Sequence, residues 1–208
     1  MENTVLVRQY RDIPYDIREI LRYAGCPREA DGTYTKLVQD CLSLLESPVL
    51  RVCYAEFPVQ VLGPHLDLGF TQIDSAPLAA YMKGCGSYYL FAATAGIGID
   101  AKIRRYARTS PSKALIFQAI GAERVEAACD AFCAGMKQQL ALDGKTLKPR
   151  FSPGFGDVSL EIQREIIRVL DCGRKIGVTL NESMLMSPSK SVTAFAGITE
   201  IKNSEVKE

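Results

Sequence analysis

The sequence predicts an α+β fold, on three observations. Apolar residues at helical spacing are mixed with a few scattered runs of strand formers, with no regular strand–helix–strand alternation between them. The 208 residues are 47% hydrophobic and 24% charged, so there is enough apolar surface to build a core, and disorder is excluded for most of the chain. No internal repeat divides the chain, and its length suits one unit over residues 1–208, with a charged tail at about 202–208 expected to fray.

The elements follow in order. Residues 12–23 read as a helix, because Ile17, Ile20 and Leu21 fall at helical spacing and Gly25-Cys26-Pro27 stops it. Residues 33–46 form a second, with Leu37, Cys41, Leu44 and Leu45 on one side. Residues 50–57 alternate and are rich in strand formers, so a strand is expected there. A short helix at 75–83 precedes a buried strand at 87–96, and GIGID (96–100) is a tight strand-to-helix turn with Asp100 near the cap. GIGID lacks the third glycine of a dinucleotide fingerprint.

The longest periodic segment is 111–140. Ser110-Pro111 fits an N-cap followed by proline at the first helical position, and Gly121 is a point where the helix can break in two. Val125, Cys129, Phe132, Met136 and Leu140 make a core-facing stripe. At ~100° per residue, Glu123 points away from that stripe into solvent, whereas Glu126 falls on its border with Cys133. After a turn at Asp143-Gly144, the stretch 148–157 (KPRFSPGFGD) is a shaped loop, since its prolines and glycines forbid regular helix. A helix at 159–170 carries Leu160, Ile162, Ile166, Ile167 and Leu170 on its apolar face and ends near Gly173; a strand-like run closes the chain up to Ile201.

Several function classes lose ground at once. Lys+Arg 25 against Asp+Glu 24 is no basic excess, which argues against a nucleic-acid partner. The best apolar run, 88–99, is too short and glycine-rich to span a bilayer, and the N-terminus lacks the order of a signal peptide, so a cytoplasmic chain without a membrane partner is expected. Seven cysteines without a C-x-x-C pair read as reduced thiols packed as small apolar groups. The single histidine, His65, lies in a Gly/Pro-punctuated segment and reads as a surface-loop residue; no metal is assigned.

The loop carries the chemistry. Arg150 offers a planar fork for a carboxylate, and Ser152 with the amides of Gly154, Phe155 and Gly156 can hold polar groups. Phe151 and Phe155 can cover a flat ring or a sulfonium cation, Gly154 permits close approach of the main chain, and a helix N-terminus follows. Such a loop suits a small zwitterion bearing a carboxylate and an aromatic base. The same residues also suit a structured turn whose arginine caps a neighbouring carbonyl.

Taken together, several segments resemble the activation (reactivation) domain of cobalamin-dependent methionine synthase, in its short stand-alone form. The family's R-x-x-x-G-Y reads here Arg150-F-S-P-Gly154-Phe155, and the acidic residue on an upstream helix aligns with Glu126 in AIGAERVEAA. The family's T-E-S and M-x-P-x-x-S-V appear as Asn181-Glu182-Ser183 and Met186-S-Pro188-S-K-Ser191-Val192. Residues 91–106 and the opening REILRYAGC are also similar. The family's tyrosine is Phe155 here, which keeps the ring and loses the hydroxyl; the acidic N-terminal motif has no counterpart closer than Asp12, and the chain ends soon after Ile201.

The resemblance implies a bent, mostly antiparallel sheet flanked by helices. It implies S-adenosylmethionine as cofactor, held by Glu126, Arg150, Ser152, Gly154 and Phe155, with Arg150 on the methionine carboxylate and Glu126 on the α-ammonium. It implies cobalamin only through a partner, a corrinoid-binding methyltransferase or truncated methionine synthase, reactivated with a flavodoxin-like or other electron donor. The chain would then be part of a methyltransferase system and not a complete methionine synthase. The alternative is a non-catalytic module that senses S-adenosylmethionine or docks on a corrinoid protein; a degenerate relative that binds neither is the third reading.

Overall fold

The computed structural model describes residues 4–27 and 32–201, so the tail expected to fray lies outside the described residues. In chain order come β1 (Leu6–Tyr10), α1 (Ile17–Tyr23), α2 (Gly32–Leu42), β2 (Leu50–Pro58), β3 (Gln60–Leu62), β4 (His65–Asp67), β5 (Gln72–Asp74), α3 (Ala76–Met82) and β6 (Ser87–Thr94). There follow α4 (Ile97–Tyr106), α5 (Pro111–Ala141), β7 (Lys145–Leu147), α6 (Ile162–Val169), α7 (Cys172–Ile176), β8 (Thr179–Leu180), β9 (Met186–Ser187) and β10 (Ser191–Glu200).

A five-stranded antiparallel sheet in the order β1-β2-β6-β10-β7 organises these elements. Its central strands are buried on both faces, which is why β6 reads as the unbroken run SYYLFAAT in place of an alternating pattern. On one face Val52, Tyr54, Phe91, Ala194 and Ala196 meet the α5 stripe. On the other, Cys53, Ala55, Phe57, Leu90 and Phe195 pack with α3, α6, α7 and the small β3-β4-β5 sheet. All five stripe residues, Val125, Cys129, Phe132, Met136 and Leu140, are buried as their spacing predicts.

Several expectations are corrected. The first helix begins at Ile17, not Asp12, because Pro14 precedes it and Asp16 caps it, accepting from the amides of Arg18 at 2.9 Å and Glu19 at 3.1 Å. The second stops at Leu42, where hydrogen bonds shift from i−4 to i−3 (Leu44 N–H to Cys41 O, 3.1 Å). The sixth begins at Ile162 and leaves Leu160 49% exposed; Gly173 does not end it but sits within α7, after a break at Asp171 with φ 49°. Ser110 occupies the N-cap of α5, but its hydroxyl caps no backbone amide and lies instead 3.4 Å from the Ser112 hydroxyl. His65 is in strand β4, not a loop, and its Nδ1 lies 2.9 Å from Asp74 Oδ1. The short strands β1, β3, β4, β5 and β7 are absent from the sequence reading, since three to five residues carry too little periodicity to register.

Gly121 does not break α5, which runs unbroken for 31 residues. A side chain there would stand 2.6 Å from Lys190 Cγ and 2.9 Å from Ile99 Cγ2, so the glycine is a close-approach point where α4 and the segment before β10 press on α5. Gly121→Ala is expected to lower stability by about 1–3 kcal/mol, as overpacking against the buried Ile99 does; thermal unfolding measures it.

Glu123 is the largest correction. It is 4% exposed, not solvated, because the segment before α1 covers that side of α5. Its carboxylate pairs with Arg124 (Nη2–Oε1 2.5 Å) and accepts from the Asp16 amide at 3.1 Å. Arg124 in turn donates to the carbonyls of Ile13 (2.6 Å) and Pro14 (2.7 Å), and its guanidinium lies 3.9 Å from the Tyr15 ring centroid.

Candidate functional site

A cleft of about 680 Å³ opens where the sheet edge is left uncovered. β7 pairs with β10 only over Ile198–Glu200, and Phe151 makes a single bridge to Phe195. Neither reaches Ser191, Val192 and Thr193, which line the cleft instead. The α5 residues Glu126, Asp130, Cys133 and Lys137 form one wall, the Arg150 loop another, and Gln163 of α6 with Met186 of β9 complete it.

Arg150 is the hub. Its Nη2 donates to Glu126 Oε2 at 2.9 Å and to Asp130 Oδ1 at 2.8 Å, bridging two carboxylates one helical turn apart on α5. The side chains of Arg150 and Glu126 are 24% and 39% exposed, so the pair remains open to the cleft. Burial works against the Arg150 charge, but Cys129, Glu126 and Asp130 outweigh it and hold the guanidinium above its ordinary range. Beneath it, burial pushes the Cys129 thiol up to about 12 against the opposing pull of Arg150, and burial likewise raises Cys133. Neither thiol is an anion at neutral pH, so the cleft's charge resides in Arg150, the two carboxylates and the lysines.

The loop is braced from behind. Phe151 exchanges backbone hydrogen bonds with Phe195 (2.9 and 2.8 Å) and packs against Tyr81, ring centroids 5.3 Å apart. At the far end Asp157 accepts from Ser75 Oγ at 2.5 Å, and that same oxygen caps α3 through the Leu78 amide. The wall opposite is held by Asp100, from the GIGID turn, whose carboxylate accepts from the Ser189 amide at 2.8 Å and from its hydroxyl. Asp100 therefore positions the stretch between Met186 and Ser191 and does not cap its own helix.

Of the five residues singled out from sequence, Glu126, Arg150, Ser152 and Phe155 line this one cleft. Phe155 is 59% exposed and meets Phe151 edge-on at 6.2 Å. Gly154 lies behind it: its φ of +91° demands glycine, and a side chain there would meet Leu160 Cδ2 at 3.1 Å. The loop amides expected to be free are partly engaged, Gly154 N–H to Val158 O (2.8 Å) and Phe155 N–H to Ser152 O (3.2 Å). The helix N-terminus expected to follow at once lies farther on, at Ile162. Asp130 was missed, although its place four residues after Glu126 on α5 was a usable signal. Gln163 and Thr193 gave none, because a polar residue on a helix or strand reads as solvated until its neighbours are known.

No protein-family model and no curated protein matches the chain. Among solved structures it is similar to the MetH reactivation domain bound to AdoHcy (S-adenosylhomocysteine), with a TM-score of 0.68 and 13% identity over 99% of this chain and 81% of that one. Among the described residues no helix is long and apolar enough to cross a membrane. The α+β architecture, with its antiparallel five-stranded sheet and flanking helices, is thus the fold of the MetH reactivation domain, as the resemblance implied.

Proposed function

We propose that this chain binds S-adenosylmethionine in the Arg150 cleft and acts in trans as a reactivation subunit for a cobalamin-dependent methionine synthase or related corrinoid methyltransferase. The observation that carries the reading is the meeting of Arg150 and Glu126 in one cleft, on a fold shared with a reactivation domain that binds AdoHcy. An amino-acid head group carries a carboxylate and an ammonium a few bonds apart. Inserted at this ion pair, it offers each partner a replacement of opposite charge: Arg150 takes the carboxylate, while Glu126 and Asp130 take the ammonium. The cleft volume of about 680 Å³ falls within the range of small-ligand sites. The exposed Phe155 ring is placed to cover the sulfonium or the base, and the missing tyrosine hydroxyl leaves that packing intact.

In this reading the partner's corrinoid supplies the methyl acceptor, and a flavodoxin-like or other donor supplies the electron. The chain's own residues bind and orient the methyl donor and contribute proximity, with no nucleophilic side chain of their own. Calorimetry with S-adenosylhomocysteine is expected to show saturable binding at one site; no heat and no protection against thermal unfolding would remove the reading. Adding the chain, a reductant and S-adenosylmethionine to an oxidised corrinoid partner is then expected to change the corrinoid's absorbance spectrum. Binding without that change would favour the sensing or docking module.

A further inference from the structure

We propose that the turn joining α4 to α5 is a docking surface for an acidic face of a partner protein. Between Asp100 and Glu123 the chain carries five cations, Lys102, Arg104, Arg105, Arg108 and Lys113, and no carboxylate, in a protein whose net charge is only +1. The fold keeps these charges together. The Ser110 amide bonds to Tyr106 O at 2.9 Å and closes the turn, and the Tyr106 ring centroid lies 5.7 Å from Arg105 Cζ and 5.5 Å from Lys113 Nζ. Arg104, Arg105 and Arg108 are exposed, and none of the five cations makes an ion pair among the described residues.

Helix electrostatics accounts for only part of this patch. Arg104 and Arg105 stand in the last turn of α4, where a cation suits the negative end of the helix. Lys113 stands in the first turn of α5, with Arg108 just before it, at the positive end of a 31-residue helix. No acidic residue occupies that turn, and the Ser110 hydroxyl caps no amide there. Cations so placed oppose the helix dipole and repel one another, a cost that a facing set of carboxylates removes. A protein fits the surface better than other polyanions do. Leu115 is 52% exposed, three residues after the exposed Ser112 on the same side of α5, so an apolar side chain adjoins the charged turn. Arginine and tyrosine around an apolar contact are what protein interfaces favour, whereas a phosphate backbone offers leucine nothing and one leucine is too little to enter a bilayer. Glu126 lies about 24 Å farther along α5 than Ser110, at ~1.5 Å per residue. The surface is therefore separate from the Arg150 cleft and does not depend on what that cleft binds.

The test follows a labelled peptide of glutamates interspersed with leucines by fluorescence anisotropy. The same peptide with serines for leucines, a labelled DNA duplex and phosphatidylserine vesicles are the other probes. The wild type is compared with Arg104→Glu/Arg105→Glu/Arg108→Glu, with Leu115→Ser, and with Arg11→Glu/Arg18→Glu/Lys175→Glu, which reverses as many exposed charges elsewhere. The wild type is expected to bind the glutamate–leucine peptide, more weakly as salt rises. Reversing the patch should weaken that binding by about tenfold, as the loss of three exposed charge pairs does, and the scattered reversal by less than about twofold. Leu115→Ser should abolish the preference for the leucine peptide over the serine one. Arg105→Gln/Arg108→Gln, which adds no repulsion to the fold, should show the same loss in smaller measure. Absence of peptide binding, equal losses in the two triple variants, no preference for leucine, or tighter binding to the duplex or the vesicles than to the peptide would overturn the proposal.

Discussion

Arg124→Ala is expected to destabilise the fold by about 3–5 kcal/mol, the cost of leaving a buried charge without its partner. For a chain of this size that corresponds to a fall in melting temperature of roughly 6–20 °C, read by circular dichroism or calorimetry. Arg124 is 2% exposed and closes a circuit: it pairs with Glu123 and donates to the Ile13 and Pro14 carbonyls, while Glu123 accepts from the Asp16 amide. Removing the guanidinium strands the Glu123 carboxylate and both carbonyls and releases the segment that starts α1. A loss under 1 kcal/mol would mean that the segment is held by other contacts. The circuit also disqualifies Glu123→Gln as a neutral control for ligand binding, because that substitution alters a buried pair.

Arg150→Ala is expected to weaken S-adenosylmethionine binding by about 1.5–3 kcal/mol, the worth of a hydrogen bond to a charged group. Calorimetry measures it, and unchanged affinity would take Arg150 out of the site. Its effect on stability should be small, because Asp130 is 73% exposed and Glu126 39% exposed, and ion pairs of that kind contribute little. A change in affinity with the fold intact separates this residue from Arg124. Glu126→Gln should also weaken binding, and Asp130→Asn less so, since the exposed Asp130 holds an ammonium through more solvent screening. Equal losses from the two would place the ammonium midway between the carboxylates.

The legible features were those with strong local signals. The α5 stripe repeats at helical spacing over sixteen residues, Val125 to Leu140, so its buried face could be named from the chain alone. The Arg150 loop was legible because prolines and glycines leave no regular structure available to it. Helical phasing puts Glu126 on the border of the α5 stripe and composition puts Arg150 in the loop, but it is the family resemblance that joins them in one site, where they lie 2.9 Å apart. Glu123 was misplaced for an equally clear reason: a single apolar stripe predicts one buried side, whereas α5 is covered by the sheet on one side and by α1 with its leading segment on another. The Gly/Pro-punctuated stretch around His65 concealed three short strands, since a three-residue strand offers one alternation at most.

The sequence by itself determined the α+β class, the long helix with its buried stripe, the buried strand that becomes β6, and which loop carries the arginine and aromatic rings. These outcomes follow from side-chain spacing and backbone freedom, which act within a few residues. Only the tertiary structure decided that β10 leaves its outer edge open beside α5, that Arg150 spans two carboxylates there, and that Gln163 and Thr193 line the same cleft. Whether a polar side chain is solvated or paired depends on which distant segment covers it, and local physics cannot choose that segment.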